Sequence, residues 1–271
     1  MKHAHEKPAG QFTRGQQILL GVLLLAAAVS VGYLTFYYTR LHNADRIYQT
    51  LQSSAVASSA QPTPEPAASE PPQPTAEPVV IPIDFDELHR INPDIYAWLE
   101  IPGTDIAYPI AQHPLDDSYY LDHTIEGVAG LPGSIYTERA NAQDFSDYNT
   151  VIYGHNMKNG TMFGTLKKYR DPDYLQQHRE IIIYTPTEKR VYRVFAAVVY
   201  SNIHILNSFD FTDSFGRELF LSTLSDTRNL NSQVLDDVEV TTDSQLLTLS
   251  TCVGGQPNNR YLIEAVYVGD E

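Results

Sequence analysis

Cysteine is almost absent from this sequence, which has Cys252 as its only thiol in 271 residues. A single cysteine excludes an internal disulfide. A structural zinc site is excluded as well, because no cluster of cysteine and histidine has the spacing that such a site needs. We therefore predict neither a metal site nor a bound cofactor, and any chemistry of the thiol is that of one sulfur acting alone.

Positive charge is also scarce, with 18 Lys and Arg residues against 33 Asp and Glu residues and a formal net charge of -15. A protein that binds nucleic acid neutralises phosphates with clustered cations, so this balance excludes nucleic acid as a partner. Hydrophobic residues make up 42% of the chain and charged residues 19%, which is ordinary globular usage and excludes global disorder.

One long apolar run near the N-terminus predicts a transmembrane helix. Residues 18–38 carry no charge over 21 positions, and at a rise of about 1.5 Å per residue they span the roughly 30 Å hydrocarbon core of a bilayer. Signal peptides have shorter apolar cores, which favours a retained signal anchor over a removed signal. Three cations and one acid precede the run, so the positive-inside rule places residues 1–17 in the cytoplasm and the rest of the chain outside.

Residues 39–82 are predicted to be an extracytoplasmic linker that is Pro-rich from residue 61. Eight prolines lie between residues 61 and 82, mixed with Ala, Ser, Thr and Glu. This composition builds no hydrophobic core and favours extended polyproline II structure. Residues 83–271 then form the globular domain, and its contact with the cell membrane depends on the N-terminal helix.

Short strands dominate the globular domain. Alternating patterns rich in β-branched and aromatic residues predict eight of them, at 97–101, 106–110, 133–136, 149–153, 180–184, 190–200, 244–252 and 260–268. Two helices are expected, a short one at 84–91 with Asp84 as its N-cap and another at 214–224, before the last two strands. The pattern indicates a mainly-β protein, either a barrel or a sandwich, because the alternation typical of parallel α/β folds is missing.

Cys252 ends the strand 244–252 and points to the same face as Ser250. A loop of turn residues follows, and a hairpin with the next strand would place Arg260 beside Cys252. A guanidinium near the sulfur favours the thiolate and offers hydrogen bonds to the oxyanion that forms when sulfur attacks a carbonyl. The alternative is that Cys252 is a small buried hydrophobic residue in a strand, which is the commonest role of a free cysteine.

A thiol nucleophile needs a proton-transfer partner, and His155 is the best placed of the nine histidines. It follows the apolar strand 149–153 and opens a loop, where side chains are presented at the rim of a barrel. The other histidines lie in the N-terminal region, on the first helix or in polar stretches without a distinctive setting. The alternative for His155 is a solvated loop residue without a catalytic role.

Several motifs resemble those of the sortases, the cell-wall transpeptidases of Gram-positive bacteria. The resemblance to the family as a whole rests on TLSTC at 248–252, YGHNM at 153–157 and NNRY at 258–261. The resemblance to class B sortases in particular rests on NPDIYAWLEIPGTDIAYPI at 92–110, DDSYYL at 116–121, TMFGTLKKY at 161–169 and SFGRELFLSTL at 214–224. Together these motifs cover nearly all of residues 84–268 in the order of the family.

The resemblance implies an eight-stranded sortase-type β-barrel with a short N-terminal helix and a helix before the last two strands. It implies that Cys252 is the nucleophile, His155 the acid/base and Arg260 the oxyanion stabiliser. The substrate groove that it implies is lined by Ser250, Tyr153, Leu121, Asp117 and Thr251. At the position of Asp117 the class often has asparagine, and directly after the cysteine it often has an acid where this chain has Val253.

The implied function is that of a membrane-anchored cysteine transpeptidase at the cell membrane. Such an enzyme cleaves the C-terminal sorting signal of secreted proteins, holds a thioester on Cys252 and transfers the acyl group to an amine of the peptidoglycan precursor. Three alternatives remain open at this point: a pilus-polymerising sortase with a pilin lysine as acceptor, a catalytically silent β-barrel that acts as a surface interaction domain, and plain peptide hydrolysis.

Overall fold

A computed structural model of the protein describes residues 13–57, 81–225 and 229–269. The chain forms two compact units, one up to Ala44 and one from Asp45 onwards. Residues 1–12 of the expected cytoplasmic segment and most of the Pro-rich part of the expected linker lie outside the described residues.

The first helix, α1 (Arg14–Ala57), is longer than the apolar run that predicts it. In the described part of the chain it is the one helix that is long and apolar enough to cross a membrane, judged by length and composition. The large apolar side chains of residues 18–38 are exposed within their own unit. They therefore offer a continuous apolar surface.

The second part of α1 belongs to the same compact unit as the barrel. Tyr48 and Leu51 lie about one turn apart on the same helix face, and both are buried in this unit. The side-chain amide nitrogen of Gln52, Nε2, donates a hydrogen bond of 2.7 Å to the carbonyl of Ala107. Residues 39–57, expected from composition to begin the linker, are therefore helical, because Tyr48 and Leu51 give this stretch an apolar face to bury.

Eight strands close into a barrel, and all eight correspond to predicted strands. The strands of the described chain are β1 (Ile95–Glu100), β2 (Ala107–Ala111), β3 (Ile135–Thr137), β4 (Asn149–Tyr153), β5 (Glu180–Tyr184), β6 (Lys189–Ser201), β7 (Gln233–Val234), β8 (Leu246–Val253) and β9 (Gln256–Gly269). Their order is β5-β1-β2-β3-β4-β8-β9-β6, and β6 pairs again with β5 to complete the circle. The two-residue β7 was not predicted and extends the sheet from β6. Pairing is antiparallel except for β2 with β3 and β4 with β8.

The two predicted helices are confirmed. α2 (Phe85–Ile91) begins after Asp84, whose carboxylate accepts a hydrogen bond of 2.9 Å from the backbone N–H of Glu87. The helix before the last two long strands spans Ser214–Ser225 and is called α6. Four short elements were not predicted from the sequence, namely α3 (Tyr119–Asp122), a 3-10 helix (Leu166–Arg170), α4 (Pro172–Gln177) and α5 (Ile205–Ser208).

α6 packs on the face of β8 and β9 that also carries Ser250 and Cys252. Phe220 and Leu224 of the helix belong to one buried cluster with Leu246 of β8 and with Leu262 and Val266 of β9. Because side chains alternate along a strand, Leu246 shares its face with Ser250 and Cys252. α6 therefore buries this face near Leu246, whereas Cys252, at the other end of β8, is exposed.

A buried carboxyl group lies on the same face, directly opposite a threonine. Glu264 of β9 pairs in register with Thr248 of β8 and has no exposed surface. The hydroxyl of Thr248 lies 2.8 Å from Glu264 Oε2. Burial disfavours the charged form and raises the pKa of Glu264 to about 8. The carboxyl group is therefore protonated in the folded protein at neutral pH.

The raised pKa of Glu264 makes stability depend on pH. Between the unfolded pKa of about 4.3 and the folded value of about 8, the folded state keeps a proton that the unfolded state releases. The contribution is complete below the lower value and is lost as the pH rises through the upper one. Relative to Glu264→Gln, the wild-type free energy of unfolding should fall by at most about 1.4 kcal/mol per pH unit in this window.

The measurement is the thermal unfolding midpoint of both full-length proteins in detergent, followed between about pH 5 and 8. A Gln substitution at the exposed Glu126 is the control, and it should leave the pH dependence as in wild type. Parallel wild-type and Glu264→Gln curves over this range would contradict a buried, neutral Glu264.

Candidate active site

Cys252 and Arg260 stand opposite each other where β8 and β9 meet. They are paired in register, and the ladder shifts between Cys252 and Val253. Directly opposite residues of an antiparallel pair have Cβ atoms about 4.5–5.5 Å apart, within reach of an arginine side chain. The hairpin predicted from the turn residues is confirmed, and the thiol of Cys252 is free and exposed.

The guanidinium of Arg260 is fixed by backbone carbonyls. Its Nη1 donates to the carbonyl of Pro257 at 3.2 Å and to that of Asn259 at 3.1 Å. Within residues 13–57, 81–225 and 229–269, no carboxylate forms an ion pair with Arg260. Its positive charge is therefore available to a negative charge that develops beside Cys252.

His155 reaches the same rim from the neighbouring strand. β4 runs parallel to β8, with Tyr153 paired in register to Ser250. His155 and Cys252 each follow by two residues, and parallel strands that end together present their next residues at one edge of the sheet. The register therefore explains why a YGH motif and a TLSTC motif, far apart in sequence, meet in the fold.

The ring of His155 is oriented by a backbone carbonyl. Its Nε2 lies 2.5 Å from the carbonyl oxygen of Leu121. Leu121 belongs to α3, so the position of this short helix sets the position of the carbonyl. A carbonyl only accepts hydrogen bonds, so Nε2 carries a hydrogen. In the neutral ring Nδ1 is then the nitrogen left for proton transfer.

Three hydrogen bonds connect the loop after β4 to the end of β8. Asn156 Nδ2 donates to the carbonyl of Cys252 at 2.8 Å, and the hydroxyl of Thr251 donates to the carbonyl of Gly154 at 2.7 Å. The backbone N–H of Gly154 donates to the carbonyl of Ser250 at 3.2 Å. These contacts hold the loop after β4, which carries His155 and is called the histidine loop, against the end of β8.

Cys252, His155 and Arg260 line one cavity of about 220 Å³. Of the groove residues implied by the resemblance, it also includes Ser250, Tyr153, Leu121 and Thr251. The cavity contains further residues that sequence reasoning missed, namely Tyr136, Ser201, Asn202, Ile203, His204, Ile205 and Leu262. Most of these follow β6, which pairs with β9 beside Arg260 through contacts that no local sequence pattern reveals.

Asp117 is not part of this cavity. Its carboxylate accepts hydrogen bonds from Arg139, at 2.9 Å from the backbone N–H and 3.0 Å from Nε. These bonds hold the pKa of Asp117 below its usual range. Of the predicted site residues, Asp117 is thus the one that the fold does not bring to the thiol.

Two tyrosines line the same cavity as Cys252, His155 and Arg260. The rings of Tyr136 and Tyr153 stack with their centroids 5.4 Å apart, and burial raises the pKa of both hydroxyls. At the rim, His204 Nε2 lies 2.7 Å from a carboxylate oxygen of Glu138. No group of three or more His, Cys, Asp or Glu side chains among the described residues is arranged to hold a metal ion.

Comparison with known proteins identifies the family to which this chain belongs. The profile of the sortase domain matches residues 99–268. The chain belongs to the sortase family. A curated sortase B of Listeria monocytogenes is 33% identical over 169 residues, which cover 62% of this chain and 67% of that protein.

Solved structures agree with this assignment and with the eight-stranded barrel. Sortase B from B. anthracis in complex with AAEK2 has a TM-score of 0.63 and 28% identity over 87% of this sortase and 98% of that chain. A class B sortase of Streptococcus pyogenes involved in pilus biogenesis has a TM-score of 0.57 and 28% identity over 68% of this sortase and 97% of that chain. These relatives are class B sortases, which are cysteine transpeptidases, so this sortase is an enzyme of that kind.

Gly133 makes room for the contact that orients His155. Its φ is +68°, and a Cβ there would lie 2.7 Å from the carbonyl oxygen of Leu121, 2.9 Å from that of Tyr120 and 3.1 Å from His155 Cδ2. Real Cβ atoms do not approach backbone oxygens so closely. Any side chain at this position must therefore displace the carbonyl that accepts from His155.

Gly133→Ala should slow peptide cleavage by this sortase by about tenfold or more, because displacement of a reacting group by about 1 Å costs up to about 100-fold. The matched control is Gly130→Ala. Gly130 also has a positive φ, +117°, but a Cβ there meets no atom within 4 Å. Both variants carry backbone strain, so equal rates of cleavage at equal thermal stability would contradict the steric role of Gly133.

Proposed function

We propose that this sortase cleaves the C-terminal sorting signal of secreted proteins through a thioester on Cys252 and transfers the acyl group to an amine of the peptidoglycan precursor. The observation that supports the proposal is the meeting of Cys252, His155 and Arg260 in one cavity at the barrel rim. A nucleophile, a proton-transfer group and a cationic hydrogen-bond donor are the three parts that acyl transfer through sulfur requires.

The first half of the reaction forms the thioester. The Cys252 thiolate attacks the scissile carbonyl, and the guanidinium of Arg260 donates to the oxygen on which negative charge develops. The carbon–nitrogen bond then breaks, and His155 gives a proton from Nδ1 to the leaving amine. The acyl group remains on sulfur, and the imidazole is left neutral.

The second half returns the enzyme to its starting state. An acceptor amine attacks the thioester carbonyl, and neutral His155 takes its proton at Nδ1. The carbon–sulfur bond breaks, an amide forms, and Cys252 leaves as a thiolate. Because Nε2 of His155 stays bonded to the carbonyl of Leu121 in both halves, the ring keeps one orientation throughout.

The sorting peptide is proposed to lie along the cavity. Ser250, Tyr153 and Leu121 are its proposed contacts, since their side chains line the walls near the thiol. Thr251 is a further proposed contact, since it also lines the cavity and its hydroxyl, which donates to the carbonyl of Gly154, keeps lone pairs to accept from the peptide. Asp117 is engaged by Arg139 and lies outside the cavity lining, so we assign it no contact near the scissile bond.

The apolar part of α1 supports attachment to the cell membrane. We assign residues 18–38 as a single span, with residues 1–17 in the cytoplasm and the catalytic domain outside. The length and exposed apolar side chains of this stretch support the assignment. The proposed partners are thus the membrane, a sorting-signal peptide and an amine acceptor.

A second candidate function is polymerisation of pilins, with a pilin lysine as the acceptor. The observation that favours it is the similarity to the Streptococcus pyogenes class B sortase involved in pilus biogenesis. Both candidates share the thioester and differ only in the amine that resolves it.

The thioester is tested by intact mass spectrometry of the full chain in detergent with a panel of sorting-signal peptides. An acyl adduct on Cys252 is expected from the matching peptide. Cys252→Ala should form none, because it lacks the nucleophile but keeps the fold. No adduct with any peptide, at unchanged folding, would favour a catalytically silent domain.

The acceptor is tested in the same assay. Added oligoglycine or a pilin-derived lysine peptide should convert the adduct into an amide product. Release of free acid alone, in the presence of both amines, would identify a hydrolase and contradict transpeptidation.

Arg260→Lys should reduce the rate of acylation by about 100- to 1000-fold, which is the usual cost of losing one aligned oxyanion donor. Lysine keeps the charge but loses the planar fork that contacts an oxyanion and backbone carbonyls together. Single-turnover acylation and thermal unfolding are measured on both proteins. Arg139→Lys, at the ion pair outside the cavity, is the control and should acylate as wild type.

A loss below about threefold in Arg260→Lys would show that charge alone matters, since it corresponds to less than about 0.7 kcal/mol of barrier. A large loss with unfolding would make Arg260 a structural residue.

A further inference from the structure

The part of α1 that packs on the barrel unit places one hydroxyl against the segment before β3. Tyr48 is buried, and its Oη donates to the carbonyl of Gly133 at 2.8 Å. The same oxygen accepts from the backbone N–H of Ile125 at 3.3 Å and lies 3.2 Å from Ser134 Oγ. A single side chain therefore holds both ends of the stretch between α3 and β3.

This stretch leads directly to the catalytic histidine. The backbone N–H of Ser134 donates to the carbonyl of Tyr120 at 2.9 Å. The next carbonyl, that of Leu121, accepts from His155 Nε2 and is the one that a Cβ on Gly133 would strike. The position of the Leu121 carbonyl, and with it the orientation of the imidazole, thus depends on where Gly133 and Ser134 are held.

A second set of contacts connects Tyr48 to the other side of the histidine loop. Its ring packs edge-to-face on Tyr108, with centroids 5.7 Å apart. The hydroxyl of Tyr108 accepts from the backbone N–H of Met162 at 3.0 Å, and Met162 has a φ of +53°. The next residue, Phe163, donates from its backbone N–H to the carbonyl of His155 at 3.0 Å.

We propose that Tyr48, which lies beyond the membrane span, is a positioning residue for His155. It acts by holding the Gly133–Ser134 peptide that fixes the Leu121 carbonyl, and by supporting Tyr108 beneath the histidine loop. The proposal rests on the proposed function, in which His155 transfers the proton. It makes the docking of the chain just after the membrane span a condition for acylation at Cys252.

Removal of the Tyr48 hydroxyl tests the proposed positioning role directly. Tyr48→Phe keeps the ring and its packing on Tyr108, but it leaves the carbonyl of Gly133 and the N–H of Ile125 without their partner in a buried place. These groups must then shift to find other partners. A displacement of the histidine by about 1 Å is enough to slow a positioned reaction by up to about 100-fold.

The test uses the full chain in detergent and single-turnover acylation by a sorting-signal peptide. Tyr48→Phe should lower the maximal acylation rate by about tenfold or more and change the half-saturating peptide concentration much less, because no side chain that lines the cavity is replaced. The matched control is Gln52→Ala, which removes the bond from the same helix to Ala107 but leaves in place the Tyr48 hydroxyl, its bond to Gly133 and its ring contact with Tyr108. It should acylate within about twofold of wild type.

A double-mutant cycle with His155→Ala separates positioning from general destabilisation. If Tyr48 acts through His155, Tyr48→Phe should have no further effect on the residual rate of His155→Ala. An equal fold-loss in both backgrounds would overturn the inference, as would a Tyr48→Phe rate equal to that of wild type.

Two further outcomes are distinguished in the same experiment. Wild-type protein that forms no adduct overturns the proposed function and the inference with it, whereas a wild-type adduct with no effect of Tyr48→Phe overturns the inference alone. Should Tyr48→Phe not fold, Ser134→Ala replaces it. Ser134 Oγ donates to the carbonyl of His123 at 2.9 Å and lies 3.2 Å from Tyr48 Oη. Its removal therefore loosens the same stretch while the bond from Tyr48 to the carbonyl of Gly133 remains, and the same loss through His155 is expected.

Discussion

The register among β4, β8 and β9 is the constraint on which the site depends. Tyr153 pairs with Ser250, and Cys252 pairs with Arg260, so three strands deliver a histidine, a thiol and a guanidinium to one rim. Side chains alternate between the faces of a strand, so a slip of one residue would turn Cys252 away from Arg260. Leu246 lies on one face of β8 and Leu247 and Leu249 on the other, and all three are buried, so such a slip would disrupt the packing on both faces of the strand.

Much of this arrangement could be predicted from the sequence because its signals are local. β4 and β5 coincide with the predicted strands, since their apolar residues end sharply at turn residues. The β8–β9 hairpin follows from two alternating runs around a loop of turn residues, which is why Arg260 could be placed beside Cys252. The position of His155 after an apolar strand singled it out among the histidines, but its closeness to Cys252 could not be predicted from a local pattern, because parallel pairing of β4 with β8 has no local signature.

The remaining features depend on contacts between distant segments. Residues 201–205 form part of the cavity wall because β6 pairs with β9 as far as Ser201. No sequence pattern within 201–205 predicts this position. The two-residue β7 is too short for a periodic pattern. The helical stretch 39–57 has no long apolar run, and the burial of Tyr48 and Leu51 depends on the surface that the barrel offers them. Family resemblance implied a place for Asp117 in the groove, and its ion pair with Arg139, outside the cavity lining, is a contact between segments that no local pattern indicates.

The Pro-rich segment has both of its ends in the compact unit that begins at Asp45. A tether joins two bodies and has one end on each, whereas Ala57 and Ile81, on either side of this segment, belong to the same unit. Residues 58–80 therefore connect two segments of the same unit. Their number sets the entropy of closing a loop, at about 0.6 kcal/mol for each doubling of length, and does not set the reach of the enzyme. A change in the number of these residues should therefore alter the stability of the unit only slightly.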